Sequence, residues 1–262
     1  MILFDLLESN ISKLKNQFQS AIPFEHIVID NFCDSDSLEK ALMQLPDPEI
    51  SGLNRSRDLM FAKNKFEKSE FEQFGPELAQ LKSDLLSDRF RKILVNITGQ
   101  DLFVDPNFHG GGLHLGGTGS FLNMHADFNY HPSNPSWFRN INILLYLNKN
   151  WNKSYGGELK LRDGRENDGE VKLIEPLFNR AVIMFTREYT LHGYDVTSFP
   201  KGIYRSSVAA YGYTKQDAES SVRTTIWHPE NSGILKTFIG KHMPKFVRVK
   251  SFVFGSGTKR NK

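Results

Sequence analysis

The middle of the chain consists of short β-rich runs separated by clusters of Gly, Asn and Pro. Five such runs lie between residues 101 and 215: Gly119–Phe128, Arg139–Leu147, Glu158–Arg162, Ala181–Thr186 and Ser206–Tyr213. The connections leave no room for helical crossovers, which argues against a parallel sheet. This spacing predicts a mainly β core built as an antiparallel sandwich or barrel, jelly rolls included.

The first hundred residues have a different pattern and are predicted to be mainly helical. Apolar residues near the N terminus recur at helical spacing, and Asp36–Glu39 fits a capping box for a helix that stops at Pro46. Leu78–Ile97 is amphipathic and is followed closely by a glycine. Between these helices, Glu25–Phe32 is predicted to form an edge strand. We expect the helices to pack against the β core.

The whole chain, residues 1–262, is expected to be a single domain with a helical support region at 1–100 and a β core at 101–215. Residues 216–262 form a basic C-terminal extension that carries no acid after Glu230. This extension is interpreted either as a solvated face with a frayed end or as a surface for an anionic partner.

Composition narrows the class of protein. The formal net charge is +3, which is too small to argue by itself for a nucleic-acid or membrane partner. Cys33 is the only cysteine, so no internal disulfide can form and a reducing compartment is expected. The first residues show no signal-peptide pattern, and no apolar run is long enough to span a bilayer. We therefore predict a cytoplasmic protein with no membrane span, whose partner is not a nucleic acid.

The strongest chemical signal is the sequence Met-His-Ala-Asp that contains His125 and Asp127. On a strand, these two side chains point to the same face and can occupy adjacent positions on one metal ion. Two His and one carboxylate, with the remaining positions open, is the ligand set of non-haem iron(II) oxygenases. His192, in Leu-His-Gly after a predicted strand, is the preferred third ligand. His114 and His131 are the competing candidates.

A second candidate site begins near the end of the β region. Arg205 enters a predicted strand, and Ser207 lies two residues further on the same face. A guanidinium fork beside a hydroxyl suits the binding of a carboxylate. Lys201, in the turn before this strand, competes with Arg205 for the same role.

Taken together, these residues resemble the 2-oxoglutarate oxygenase superfamily, and within it the prolyl hydroxylase group, over about residues 105–215. The likeness depends on the order of the candidate site residues and on three further stretches: Arg139–Trp151, Gly156–Leu161 and Glu175–Arg180. It implies a double-stranded β-helix (jelly-roll, cupin-like) core flanked by N-terminal helices. It also implies Fe(II) as cofactor, 2-oxoglutarate and O₂ as co-substrates, and ascorbate as a further cofactor.

The resemblance carries roles to individual residues. It supports His125, Asp127 and His192 as the iron ligands. Tyr146 falls where a tyrosine hydroxyl in the prolyl hydroxylase group helps to bind the distal carboxylate of 2-oxoglutarate. Arg205 falls where a basic residue pairs with that carboxylate, and the interval from His192 to Arg205 is longer here than in the hypoxia-sensing members of the group.

Strand alternation adds further candidates for the pocket. It places Asn140, Asn142 and Tyr146 on one face of a strand, and Asn123 on the face of His125. Asn123 and Asn142 are therefore candidates for the co-substrate or substrate pocket, and hydrogen bonding within the sheet is the alternative.

Tyr130 and His131 are candidate substrate contacts. They lie in Asn129–Ser136, a segment bounded by prolines that is predicted to be a loop where substrate would approach. Because this loop is distinct from the prolyl hydroxylase pattern, peptidyl-proline is not carried over as the substrate.

The activity implied by the resemblance is hydroxylation of an unactivated C–H bond in an amino acid, a peptide or another small metabolite, with release of succinate and CO₂. Asp127 favours hydroxylation over halogenation, because related halogenases have a small residue in place of the acid. Two alternatives stay open: a non-catalytic cupin-like domain that binds a sugar, and a nucleic-acid demethylase of the same superfamily. The strand that begins at Arg205 lacks the second arginine typical of nucleic-acid repair enzymes.

Overall fold

One strongly curled antiparallel sheet forms the centre of the molecule. The computed structural model describes residues 1–48, 53–55, 61–166, 169–216 and 222–228. Within these residues the strands are β1 (His26–Asp30), β2 (Asn54–Arg55), β3 (Ala62–Lys68), β4 (Phe103–Val104), β5 (Gly112–Ala126), β6 (Tyr130–His131), β7 (Asn134–Tyr146), β8 (Leu159–Asp163), β9 (Lys172–Ile174), β10 (Arg180–Phe185), β11 (Thr190–Tyr194), β12 (Arg205–Lys215) and β13 (Ile226–Trp227). The predicted double-stranded β-helix, mainly β with helical support, is confirmed.

The strand order along the sheet is β1-β10-β7-β12-β5-β11-β8-β9, and these neighbours pair antiparallel. The long strand β5 belongs to both halves of this order. Its first part, up to Gly116, pairs with β12, whereas its last part, from Leu122, pairs with β11. Glycines at 116, 117 and 119 lie between the two parts, where the chain must turn from one half to the other. β5 therefore joins the two walls between which the site lies.

Alternation on β7 separates the helical layer from the interior of the curled sheet. Ile141, Ile143 and Leu145 belong to the large apolar core that includes the buried faces of the helices. Their neighbours on the other face, such as Tyr146, pack with residues of β8, β9 and β10. Because each Å² of buried apolar surface stabilises the fold by about 25 cal/mol, this packing is the main source of stability. The helices thus hold the outer face of the wall whose inner face carries the site.

Among the described residues of the N-terminal region there are five α-helices: α1 (Phe4–Ser9), α2 (Ile11–Gln19), α3 (Ser35–Met43), α4 (Pro76–Leu86) and α5 (Asp88–Thr98). The edge strand predicted between the helices is confirmed as β1, which pairs with β10. The capping box predicted at Asp36–Glu39 is wrong. Asp34 caps α3 instead, because its carboxylate accepts from the backbone N–H of Ser37 at 2.9 Å.

The amphipathic stretch Leu78–Ile97 is two helices and not one. Ser87 adopts an extended conformation between them and accepts from the backbone N–H of Phe90, which starts α5 as a new helix. A hydrophobic pattern cannot reveal this break, since both helices bury faces with the same spacing. Gly99 ends α5 in the left-handed conformation, with φ of 70°.

One further prediction about local structure is wrong. Asn129–Ser136 is not a loop throughout, because β6 pairs with β7 in this segment and the first residues of β7 fall within it. The region before residue 100 is mainly helical, as predicted, but it also contains β3, which pairs along β5. The basic C-terminal extension lies mostly outside the described residues, but β13 from its start pairs with the end of β5.

Asn179 joins the N-terminal segment to the sheet. Its side chain is buried, accepts from the backbone N–H of Cys33 at 2.8 Å and donates to the Cys33 carbonyl at 2.7 Å. Its own backbone N–H donates to the carbonyl of Tyr146 at 3.0 Å, and its φ of 62° is in the left-handed region that Asn tolerates. One residue therefore fixes the end of β7 and the chain that follows β1.

We expect Asn179→Ala to destabilise the protein by about 2–4 kcal/mol, because it leaves two buried backbone groups without partners. Asn150→Ala is the matched control, since Asn150 has a similar φ of 61° but an exposed side chain. It should cost about 1 kcal/mol or less. Urea unfolding midpoints measure both losses. Equal losses in the two variants would show that the buried hydrogen bonds of Asn179 contribute little.

Candidate metal centre

Three side chains with metal-binding atoms converge where β5 meets β11. The Cα atoms of His125 and His192 are direct partners in this pairing, and Asp127 immediately follows β5. Nε2 of His125 lies 3.5 Å from Oδ1 of Asp127, and Nε2 of His192 lies 3.4 Å from Oδ2 of Asp127. The three ligand atoms lie within 4.8 Å of one another, and all three residues are buried. The three residues predicted as metal ligands are thus brought together.

Both imidazoles are prepared to bind a cation. The backbone carbonyl of Asn123 can only accept a hydrogen bond, so Nδ1 of His125, at 2.9 Å, carries a proton, and in the neutral ring the lone pair is then on Nε2, which faces Asp127. Burial, reinforced by the neighbouring His125, lowers the pKa of His192 to about 3. His192 is therefore neutral near pH 7, as a metal ligand must be.

Asp127 supplies the negative charge. Burial alone would raise the pKa of its carboxyl, but Arg139 and the two histidines together hold that pKa well below its ordinary value. An ionised carboxylate and two imidazole lone pairs therefore point at one another across less than 5 Å. Such an arrangement is repulsive unless a cation lies between them. Two His and one carboxylate suit Fe(II), so the side chains fit the iron that this ligand set implies.

The triad lines a cavity that extends along β12 to Arg205 and Ser207. Arg205 is buried, its Nε donates to the carbonyl of Gly157 at 2.7 Å, and its Nη2 donates to Oη of Tyr146 at 3.4 Å. The guanidinium also lies over the ring of Tyr194, at 4.2 Å from the centroid. The metal ligands and a fixed cation thus share one cavity, as the binding of a chelating acid requires.

Comparison with known proteins agrees with this geometry. Residues 111–213 match the family model described as the 2OG-Fe(II) oxygenase superfamily. The match covers less than half of the chain, and together with the similar structures it supports an oxygenase enzyme. Fe(II) and 2-oxoglutarate are accordingly the cofactor and co-substrate of this oxygenase. The predicted likeness to the prolyl hydroxylase group is confirmed.

Several solved structures share the fold of this oxygenase. A prolyl-4-hydroxylase from Pseudomonas putida aligns with a TM-score of 0.53 and 15% identity, covering 79% of this chain and 99% of that chain. A prolyl hydroxylase from Trichoplax adhaerens, in complex with a peptide fragment of the oxygen degradation domain of hypoxia inducible factor, aligns with a TM-score of 0.56 and 20% identity, over 81% and 91% of the two chains.

A third similar structure has a different activity. The epimerase SnoN, in complex with Fe³⁺, alpha-ketoglutarate and nogalamycin RO, aligns with a TM-score of 0.53 and 10% identity, over 86% of this chain and 88% of that chain. A search of curated protein sequences found no significant match. Within the described residues, no helix is both long and apolar enough to cross a membrane.

The predicted pocket residues of this oxygenase divide into two groups. Asn142 and Ser207 line the cavity with the triad and Arg205, and Tyr146 lies beneath Arg205 and is fully buried. Lys201, the competitor of Arg205, is exposed on a turn and does not belong to the cavity lining.

The two candidate substrate contacts lie outside the cavity lining. His131 is buried against Trp137 and Tyr213, with Nε2 3.4 Å from a carboxylate oxygen of Asp105. Tyr130 is buried on the same short strand, and its ring packs edge-on against that of Phe138. A role of Tyr130 and His131 in substrate binding stays a prediction.

Two further candidates, Asn123 and His114, also have defined positions. Asn123 does not belong to the cavity lining, and its Oδ1 is buried without a hydrogen-bond partner within the described residues. Its backbone carbonyl orients His125 instead. His114 is the other competitor for the third ligand position. It pairs with Ser207 of β12 and lines that part of the cavity, not the part beside the triad.

Arg139 is a cavity residue that alternation failed to identify. Alternation groups Asn140 with Asn142, but β7 is irregular at this point: Tyr213 pairs with Arg139 while Gly212 pairs with Ile141. The extra residue is Asn140, whose amide donates to Thr214 at 2.7 Å, away from the cavity. The placement of Asn140 with Asn142 is therefore wrong, because this bulge turns Arg139 to the inner face.

The cavity lining also contains other residues that the sequence did not indicate. Lys65 and Glu67 of β3 line the cavity, together with Tyr194 and Tyr211. β3 carries five charged or amide side chains and few apolar ones, so it has no strand pattern that could reveal it. Arg139 is the only charged residue of the predicted strand Arg139–Leu147, and this was the one available signal for it.

Trp227 covers the outer side of the metal ligands. Its Cα pairs with that of His125 in the β13–β5 ladder, and the two ring centroids are 4.9 Å apart. The other face of the indole stacks on Phe61 at 5.1 Å. The start of the C-terminal extension therefore reaches the metal centre, which the division of the sequence into core and extension did not anticipate.

We expect Co(II), added without oxygen, to quench the fluorescence of Trp227, since a metal held by His125 would lie beside its indole. The variant Trp227→Phe should lose most of this quenching but still bind Co(II), as measured by equilibrium dialysis. Trp151→Phe is the control, because Trp151 donates to Gly156 in a different loop. If Trp151→Phe removed most of the quenching, the metal would have to lie elsewhere.

Proposed function

We propose that this oxygenase hydroxylates an unactivated C–H bond of an amino acid, a peptide or another small metabolite. One oxygen atom of O₂ enters the product alcohol and the other enters succinate, while the first carbon of 2-oxoglutarate leaves as CO₂. The observation that supports this most directly is the single cavity lined by both the ligand triad and the buried cation of Arg205.

The triad would hold the iron through Nε2 of His125, Nε2 of His192 and the carboxylate of Asp127. When bound, Fe(II) supplies the activation of O₂ and, with 2-oxoglutarate, the oxidising chemistry. The protein keeps His192 neutral and the carboxylate of Asp127 ionised, so neither must lose a proton when the metal enters. The acid at position 127 supports hydroxylation rather than halogenation.

Arg205 and its neighbours form the proposed anchor for the distal carboxylate of 2-oxoglutarate. The carbonyl of Gly157 fixes the guanidinium through Nε, which leaves other N–H groups to bind the acid. Burial raises the pKa of Tyr146, so its hydroxyl stays protonated and can donate to the same carboxylate. Ser207 adds a second hydroxyl on the cavity wall. These groups would orient the co-substrate with its other end toward the triad.

The rest of the cavity supports a small or narrow polar substrate. Leu144 and Leu159 give it apolar walls that exclude water, whereas Lys65 and Glu67 supply one charge of each sign. A group with both a cationic and an anionic end, such as an amino acid, matches this wall. The Trichoplax enzyme is seen with a peptide, which supports keeping peptides in the substrate class.

Nothing in the described residues favours either alternative function. The complete ligand triad argues against a non-catalytic sugar-binding domain. The basic residues that would favour a nucleic-acid substrate lie mainly beyond residue 228, outside the described residues. The cytoplasmic location stays a prediction.

We expect Asp127→Ala and His192→Ala to abolish iron-dependent conversion of 2-oxoglutarate to succinate, because each removes one of three ligands. The measurement is succinate release from labelled 2-oxoglutarate, with and without mixtures of amino acids, peptides and metabolites. His26→Gln is the control, since His26 is equally buried but lies on β1 away from the cavity. Normal succinate release in either ligand variant would contradict the assignment of the triad.

We expect Arg205→Met to raise the KM for 2-oxoglutarate by about 10- to 100-fold, because a charge-assisted hydrogen bond contributes roughly 1.5–3 kcal/mol. Its metal affinity should be unchanged, which separates this effect from damage to the triad. Lys201→Met should leave the KM for 2-oxoglutarate at the wild-type value. A larger increase of KM in Lys201→Met than in Arg205→Met would reverse the assignment of the anchor.

A further inference from the structure

The two oxygens of the Asp127 carboxylate have different surroundings. Oδ2 receives two donors: Nη2 of Arg139 at 3.0 Å and Nδ2 of Asn142 at 2.8 Å. Oδ1 has neither of these donors and faces Nε2 of His125 at 3.5 Å. Arg139 and Asn142 therefore leave Oδ1 available to a metal, whereas the lone pairs of Oδ2 are engaged.

Arg139 and Asn142 hold each other as well as the carboxylate. Nε and Nη2 of Arg139 both donate to Oδ1 of Asn142, at 3.0 and 2.7 Å. Asn142 must then turn its NH₂ group toward Asp127. The flipped amide would place this NH₂ group against the N–H donors of Arg139 and its oxygen against the carboxylate of Asp127, and neither contact could form a hydrogen bond. The three side chains form a closed set of hydrogen bonds with one consistent arrangement.

The guanidinium has no freedom to leave this arrangement. Arg139 is 2% exposed, and its central carbon lies 3.5 Å from the ring centroid of Tyr211 and 4.6 Å from that of Phe128. Tyr211 is itself fixed, because its hydroxyl donates to the carbonyl of Gly110 at 2.7 Å. A buried arginine is costly without a well-placed anionic partner, and Asp127 is that partner.

We propose that Arg139 and Asn142 are positioning residues that occupy Oδ2 of Asp127 and so present Oδ1 alone to the metal. This inference rests on the proposed metal site. A one-oxygen carboxylate and two imidazoles fill three positions and leave three for the co-substrates. Oδ2 lies only 3.4 Å from Nε2 of His192, so an unrestrained carboxylate could bind through both oxygens and take one of those positions.

The test uses two variants and two matched controls. Arg139→Met and Asn142→Leu remove the donors to Oδ2 and keep side chains of similar length. Arg187 and Asn140 form the comparison pair: the Arg187 guanidinium donates to Oδ1 of Asn140 at 3.0 Å and lies over the ring of Phe185, outside the cavity lining. Arg187→Met and Asn140→Leu therefore remove an equivalent pair, whose asparagine also lies on β7, without touching Asp127.

The readouts are the Co(II) dissociation constant, measured without oxygen, and the intensity of the visible Co(II) absorption. That intensity falls as the coordination number rises, which a purely structural defect would not produce in the folded fraction. We expect the Arg139 and Asn142 variants to bind Co(II) about 10- to 100-fold more weakly and with an altered spectrum. Both controls should match the wild type.

Asn142→Leu decides the question by itself if Arg139→Met does not fold. Wild-type affinity and an unchanged spectrum in folded Asn142→Leu would overturn the positioning role. Two other outcomes would contradict the proposed metal site itself. If the wild type did not bind Co(II), or if Asp127→Ala still bound it, the triad would be wrong, and the positioning role would be wrong with it.

Discussion

The pairing of β5 with β11 is the constraint on which the site depends. It brings His192 directly opposite His125, and it does so only in one register, because a shift of one residue would turn a ligand to the other face of the sheet. That register is held by burial on both sides of the curled sheet and by the bend of β5. Since the first part of β5 also pairs with β12, the same strand fixes the distance between the triad and Arg205. The proposed positions of the metal and the co-substrate therefore both depend on β5, which belongs to two walls of the cavity.

Much of this could be predicted because it depends on alternation within single strands. His125 and Asp127 are two residues apart, as are Arg205 and Ser207, and each pair lies on the inner face as the sequence indicates. The third candidate ligand was harder to predict from the sequence, because its position depends on how two strands that are distant in the chain pair. Chain order and the family resemblance selected His192, and the structure brings it to the other two ligands.

The failures have a common physical cause, which is local irregularity without a hydrophobic pattern. The bulge at Asn140 places Arg139 on the inner face, where alternation predicts Asn140. The contacts that stabilise Asn140 are with Thr214 and Arg187, which lie far along the chain. β3 is paired through its backbone and carries mostly polar side chains, so its sequence resembles a loop. The break at Ser87 depends on one capping hydroxyl inside a continuous amphipathic pattern. In each case a distant or single contact decides the structure.

The charges of the site explain why a buried arginine lies beside a metal ligand. Two neutral imidazoles and one carboxylate would leave an isolated buried anion whenever the metal is absent, and such an anion is costly. Arg139 balances Asp127, so the ligand set is neutral before the metal enters. A divalent cation then adds two positive charges, which a dianionic co-substrate with carboxylates at both ends can neutralise. Arg205 is the proposed partner of the distal carboxylate in the same cavity. In the proposed site these charges favour binding of the metal first and of a dicarboxylate second, because the positions of both arginines are fixed.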